Sequence, residues 1–109
     1  MAYDEPLAER VQDALAGHSA LTERKMFGGI AFMVGGNMAC GVVNDDLMIR
    51  LDPEEAERAL AEEHVRPMDF TGRPMKGFAF VSPGGTDSDE ALTGWVELAA
   101  DHAASLPAK

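Results

Sequence analysis

The stretch that most constrains this chain is residues 25–51, K-M-F-G-G-I-A-F-M-V-G-G-N-M-A-C-G-V-V-N-D-D-L-M-I-R-L. Ile30, Phe32 and Val34 alternate with Gly29, Ala31 and Met33, the period of a strand whose side chains point to opposite faces. Gly35-Gly36-Asn37 supplies residues that tolerate positive φ, which a tight hairpin needs. Residues 38–43 then read as the return strand. Asn44-Asp45-Asp46 reads as a second turn, because short polar side chains bond back to their own backbone. Residues 47–51 read as a third strand. The expectation is a three-stranded antiparallel meander, with residues 21–27 leading into it.

Both faces of this meander are apolar. Ile30, Phe32 and Val34 oppose Ala31 and Met33, and strict alternation sets Met38, Cys40 and Val42 against Ala39, Gly41 and Val43. A sheet with one wet face alternates apolar and polar residues more cleanly. The second face therefore asks for a cover, from a helix, a twin subunit or another protein, and a homodimer is one expectation.

Around the meander the patterns are helical. Pro6 suits a first helical turn behind Asp4 or Glu5, Leu7, Val11, Ala14 and Leu15 share a face, and Gly17 offers a stop. Asp52-Pro53 with Glu55 reads as a capped second helix with a narrow stripe of Ala56, Ala59 and Leu60. His64 falls near its C-terminus, where the dipole favours a cation. From Val65 the chain turns extended, since the residue before a proline avoids the helical region. Phe78, Phe80 and Val81 suggest a further strand. After the P-G-G-T-D loop, Asp87 with Glu90 forms a capping-box pattern ahead of Leu92, Trp95, Val96, Ala99, Ala103 and Leu106 at helical spacing, and Pro107 ends the run. The order α-β-β-β-α-β-β-α is an α+β fold, a two-layer arrangement of helices on an antiparallel sheet. A length of 109 residues suits one domain, residues 1–109.

No apolar run approaches the ~18 residues of a membrane span, and M-A-Y-D-E-P lacks the basic start of a signal peptide. The lone Cys40 excludes an internal disulfide and fits a reducing compartment, so the cytoplasm is the expected location. Net charge is −10, which opposes nonspecific nucleic-acid binding. The distribution is uneven. Residues 24–44 hold Arg24 and Lys25 and no acid; residues 64–86 hold Arg66, Arg73 and Lys76 against Asp69. These segments sum to +4 and the rest of the chain to −14, mostly on the expected helices.

Chemistry-bearing constellations are few. Cys40 lies mid-strand with no histidine within twenty residues, and reads as a small buried hydrophobe. His18, His64 and His102 lack ligand spacing, so neither a metal nor another cofactor is expected. Gly28, Gly29, Gly35 and Gly36 open no helix and precede no Gly-Lys-Ser/Thr; they suit turns, a bulge or close backbone approach rather than a phosphate loop. Alternating parallel βα units are missing too, which argues against a Rossmann-type enzyme. Six of the seven methionines, Met26, Met33, Met38, Met48, Met68 and Met75, lie in or beside strands and read as core filling. What remains is Lys25, Arg66, Asp69, Arg73 and Lys76. Asp69 could pair with an arginine and pin the loop. Alternatively, Arg66, Arg73 and Lys76 could line a basic recess for an anion or an acidic partner surface, with the Thr71-Gly72-Arg73-Pro74 turn fixing the guanidinium fork. No nucleophile–base pair accompanies them, which favours binding over catalysis.

K-M-F-G-G at residues 25–29, then G-N-M, then R-P-M-D-F-T-G-R-P-M-K-G-F at residues 66–78, resemble the N-terminal domain of the TfoX/Sxy family. The resemblance runs over roughly residues 10–106. It implies the same α+β order and a noncatalytic regulatory or protein-interaction module. Family members act in transcription of DNA-uptake competence genes, so the implied partner is a protein, a transcription regulator such as the cyclic-AMP receptor protein. The sequence ends at Lys109, after the third helix, without the second, helical domain of full-length members. The resemblance therefore implies the interaction module and not direct DNA engagement. A small ligand-binding protein or enzyme built on the basic recess is the alternative.

Overall fold

The computed structural model describes residues 3–18, 21–26, 28–67 and 77–107. Helix α1 (Glu5–Ala14) starts at Asp4, whose carboxylate accepts a hydrogen bond from the Leu7 amide. Four strands follow: β1 (Leu21–Met26), β2 (Gly29–Val34), β3 (Asn37–Val43) and β4 (Asp46–Arg50). After α2 (Pro53–Ala59) come β5 (Val65–Pro67) and β6 (Phe78–Val81), a 3-10 turn at Pro83–Gly85, and α3 (Asp89–Ser105). The fold is α+β, and the expected sequence of elements is present. The lead-in at residues 21–27 supplies a further strand, β1, on the outside of the meander.

All strands pair antiparallel in one sheet of order β1-β2-β3-β4-β6-β5. Gly35 and Gly36 both take positive φ between the paired Val34 and Asn37, the two-residue turn that suits the right-handed twist of a hairpin. Asn44, with φ +55°, turns the chain from β3 to β4. Asp52 caps α2 through the Glu54 amide, as its sequence suggests. The cap of α3 is Ser88, whose hydroxyl accepts from the Ala91 amide, where the spacing had pointed to Asp87. Ser88 is the residue immediately outside the helix, so only its oxygen reaches back to the orphan amides. No helix among the described residues is long and apolar enough to cross a membrane.

All three helices pack into one core. Leu7, Val11 and Leu15 of the α1 region, Ala56 and Ala59 of α2, and Leu92, Val96, Ala99 and Ala103 of α3 close on Phe32, Val34, Cys40, Val42, Leu47, Ile49 and Val81. A separate cluster joins Val43, Met48 and Phe80 with Met38 and Phe78, and no helix contributes to it. This is the second sheet face. Strict alternation had set Met38 beside Cys40 and Val42. The ladder shifts register between Phe32 and Met33, where Phe32 pairs with Cys40 but Met33 pairs with Met38, leaving Ala39 as an extra residue on β3. This β-bulge turns Met38 to the far face while Ala39 and Cys40 both enter the helix-side core.

The far face is itself interior at its centre. Ala31 is 0% exposed, Met48 1% and Phe80 7%. A single chain thus buries the middle of this face, and a second copy is not needed to dry it.

Candidate functional site

The cross-strand register places one row of residues across the whole far face. Arg24 pairs with Ala31, Ala31 with Gly41, Gly41 with Met48, Met48 with Phe80, and Phe80 with Arg66. The middle is apolar and small: a Cβ on Gly41 would fall 2.9 Å from the Met48 methyl, so the missing side chain leaves room for the thioether. Each end of the row is an arginine on an edge strand.

Arg66, the candidate that opens the R-P-M-D-F motif, is held by contacts within the chain while about half of its side chain stays exposed. Its Nη1 donates to Asp46 Oδ1 at 3.3 Å and to Ser82 Oγ at 3.1 Å, while Nη2 donates to Asp46 Oδ2. Its guanidinium also lies 5.1 Å from the centre of the Phe80 ring. The hydrogen bonds to Asp46 raise the guanidinium above its ordinary pKa. The chemistry is a two-pronged ion pair stacked on an aromatic face, the geometry for which arginine's planar fork is suited. It ties β5 at the sheet edge to the start of β4. Asp46 reads in the sequence as a turn residue, and nothing in its spacing from Arg66 signals the pair; only the β4-β6-β5 order brings them together.

Lys25 lies on β1, at the opposite edge. Five strand spacings separate β1 from β5, roughly 24 Å, so Lys25 and Arg66 do not share a recess. Lys25 pairs in register with Ile30 and points to the helix side, whereas its neighbour Arg24 points to the far face. Both are exposed. Asp69, Arg73 and Lys76 lie outside the described residues, as do Met68 and Met75.

The remaining sequence candidates resolve locally. Cys40 is 1% exposed, and burial pushes its thiol up to about 12, which removes the thiolate that nucleophilic chemistry needs. Among the described residues, no three His, Cys, Asp or Glu side chains gather where they could hold a metal ion. His64 stands beyond the end of α2 in a left-handed conformation, φ +71°, with its carbonyl accepting from the Ser82 amide at 2.7 Å. Its ring lies on the Gly84–Gly85 backbone: a Cβ on Gly84 would fall 2.6 Å from Cε1. His64 thus packs the loop ahead of α3 and does not cap α2. Gly29 serves close approach, since a Cβ there would fall 2.1 Å from the Val42 carbonyl oxygen.

A cleft of about 130 Å³ lies between α1 and the β1-β2 hairpin, lined by Tyr3, Glu5, Glu9, Gln12 and Glu23 among others. It is acidic and holds none of the basic candidates.

No curated protein matches the chain. The model of the TfoX N-terminal domain matches residues 13–103, which take in the whole sheet, α2 and nearly all of α3, and only the end of α1. The three segments that carry the resemblance fall at the β1-β2 junction (residues 25–29), at the β2-β3 turn (residues 36–38) and across the β5-β6 connection (residues 66–78), within that span. The chain belongs to the TfoX N-terminal domain family.

Proposed function

We propose that this chain is a noncatalytic protein-interaction module that engages a transcription regulator, with the β5-β6 connection as its contact surface. The observation that carries the reading is family membership across residues 13–103. The family's role in competence-gene transcription supplies the partner class, of which the cyclic-AMP receptor protein is the expected example.

The charge pattern supports a protein partner over a nucleic acid. A net charge of −10 repels duplex DNA as a whole. Arg73 and Lys76, with Asp69 between them and Arg66, form a short cationic segment that an acidic protein surface could read. Arg66 is occupied by Asp46 and Ser82, so recognition falls to Arg73 and Lys76. The same occupancy weighs against a small-molecule recess built on Arg66, Arg73 and Lys76, because the guanidinium already has its carboxylate.

The test is an affinity capture from a lysate of the source organism, with wild-type protein and an Arg73→Glu/Lys76→Glu variant as baits. Arg66 stays intact so that the fold is not confounded. A transcription regulator retained by wild type and lost by the variant is the expected outcome, then repeated with the purified regulator. Identical captures by both baits would remove the proposal.

A further inference from the structure

β1 closes one end of the sheet, and among the described residues no strand lies beyond it in the six-strand order. Exposed strand edges invite pairing with another chain, and proteins blunt them with shortness, proline, bulges or charge. The far edge is well blunted: β5 has three residues, ends in Pro67, and has Arg66 laid back over Phe80. β1 has six residues, no proline and no glycine. Its ladder with β2 runs in unbroken register from Leu21↔Val34 to Met26↔Gly29. Thr22, Glu23, Arg24 and Lys25 are exposed. Among the described residues only charge guards this edge, and the charge is of both signs.

We propose that β1 pairs antiparallel with β1 of a second copy about a two-fold axis at Arg24, joining the two sheets into one. An axis perpendicular to the sheet keeps each face continuous, so partners across the new ladder must point to the same side. Side chains alternate along a strand, so the axis must pass through a residue and not between two. Centred on Arg24, the register sets Glu23 opposite Lys25 of the second copy, and Lys25 opposite its Glu23. Both side chains stand on the helix side, in register with Phe32 and Ile30. Glu23 already accepts a hydrogen bond there from Gln12 Nε2 at 2.9 Å, which holds its carboxylate over that side. Centring on Glu23 or on Lys25 would oppose like charges at the axis and leave the other charge without a complement. The Arg24 register has one cost, the two Arg24 side chains facing each other on the far side.

Five paired residues from each copy, Thr22 to Met26, bury less than the ~1,600 Å² of a standard interface, so the association is weak. Exposed charge pairs make it salt-sensitive. The inference goes beyond the proposed partner interaction and uses different residues, so either can fail without the other.

Analytical ultracentrifugation of the full chain, from low micromolar to near millimolar concentration, tests it. Wild type is expected to form a reversible dimer that weakens in high salt. Glu23→Lys and Lys25→Glu each convert both cross-pairs to like-charge pairs and should weaken association by about tenfold or more. Mixed in equal amounts, the two variants should recover it, because each supplies the charge the other lacks; Arg24→Thr should tighten it. Thermal melts by circular dichroism verify that each variant folds. A wild type that stays monomeric throughout overturns the proposal. So does a dimer indifferent to the single substitutions, or one that mixing does not restore.

Discussion

Arg66 holds β5 to the rest of the sheet through a carboxylate that has little access to water. Asp46 is 9% exposed, and its two oxygens face the guanidinium. Truncating the arginine strands that carboxylate, and an unsatisfied buried acceptor costs about 1–3 kcal/mol. Arg66→Ala is therefore expected to lower stability by about that much, measured by urea unfolding, and Asp46→Asn/Arg66→Ala should lose less than the two single effects summed. Cys40 makes a pH-dependent contribution. Its folded pKa is raised from 9.0 to about 12 by burial, so above 9 the unfolded chain loses a proton that the folded chain keeps. Stability from this group is full below pH 9 and falls as pH rises toward 12, by about 1.4 kcal/mol per unit. Cys40→Ala removes that slope, so its stability deficit at neutral pH should narrow above pH 9 in denaturant titrations at successive pH values.

At the scale of elements, the hairpins depend on glycine for space and the helices do not. β2 passes so close to β3 at Gly29 that an added methyl would meet the Val42 carbonyl oxygen, a backbone atom that cannot rotate away. Gly29→Ala should cost about 1–3 kcal/mol or more, as overpacking does. Gly94 lies inside α3 with nothing within 4 Å of its added Cβ. Gly94→Ala should instead stabilise by about 0.5–1 kcal/mol, since alanine loses less backbone freedom in a helix. The two midpoints, read side by side by thermal melting, should move in opposite directions. α1 and α3 are tied besides by Arg10, which donates to the Thr86 carbonyl at 2.7 Å and pairs with Asp89. That bond sets the start of α3 against the middle of α1.

For the whole molecule, acidic helices cover one side of a sheet whose other side carries arginines at both margins. Local patterns made most of this legible. The alternation in residues 29–51, the paired glycines, Asp4 and Asp52 before prolines, and the 3.6 period after Ser88 each fix a neighbourhood of a few residues. They do so because propensity, capping and turn chemistry act over one or two turns of chain. The family motifs identified the fold as well, since they lie where strands begin and join. Three things were decided only by the folded chain. The bulge at Ala39 sends Met38 to the far face, because a ladder can absorb an extra residue that a period of two cannot reveal. Asp46, twenty positions from Arg66, becomes its partner because β6 runs between β4 and β5. Lys25 and Arg66, which read alike as motif cations, end at opposite edges of the sheet. Charge and residue type are properties of sequence, but which charges meet depends on strand order, and strand order depends on how the whole sheet closes over one core.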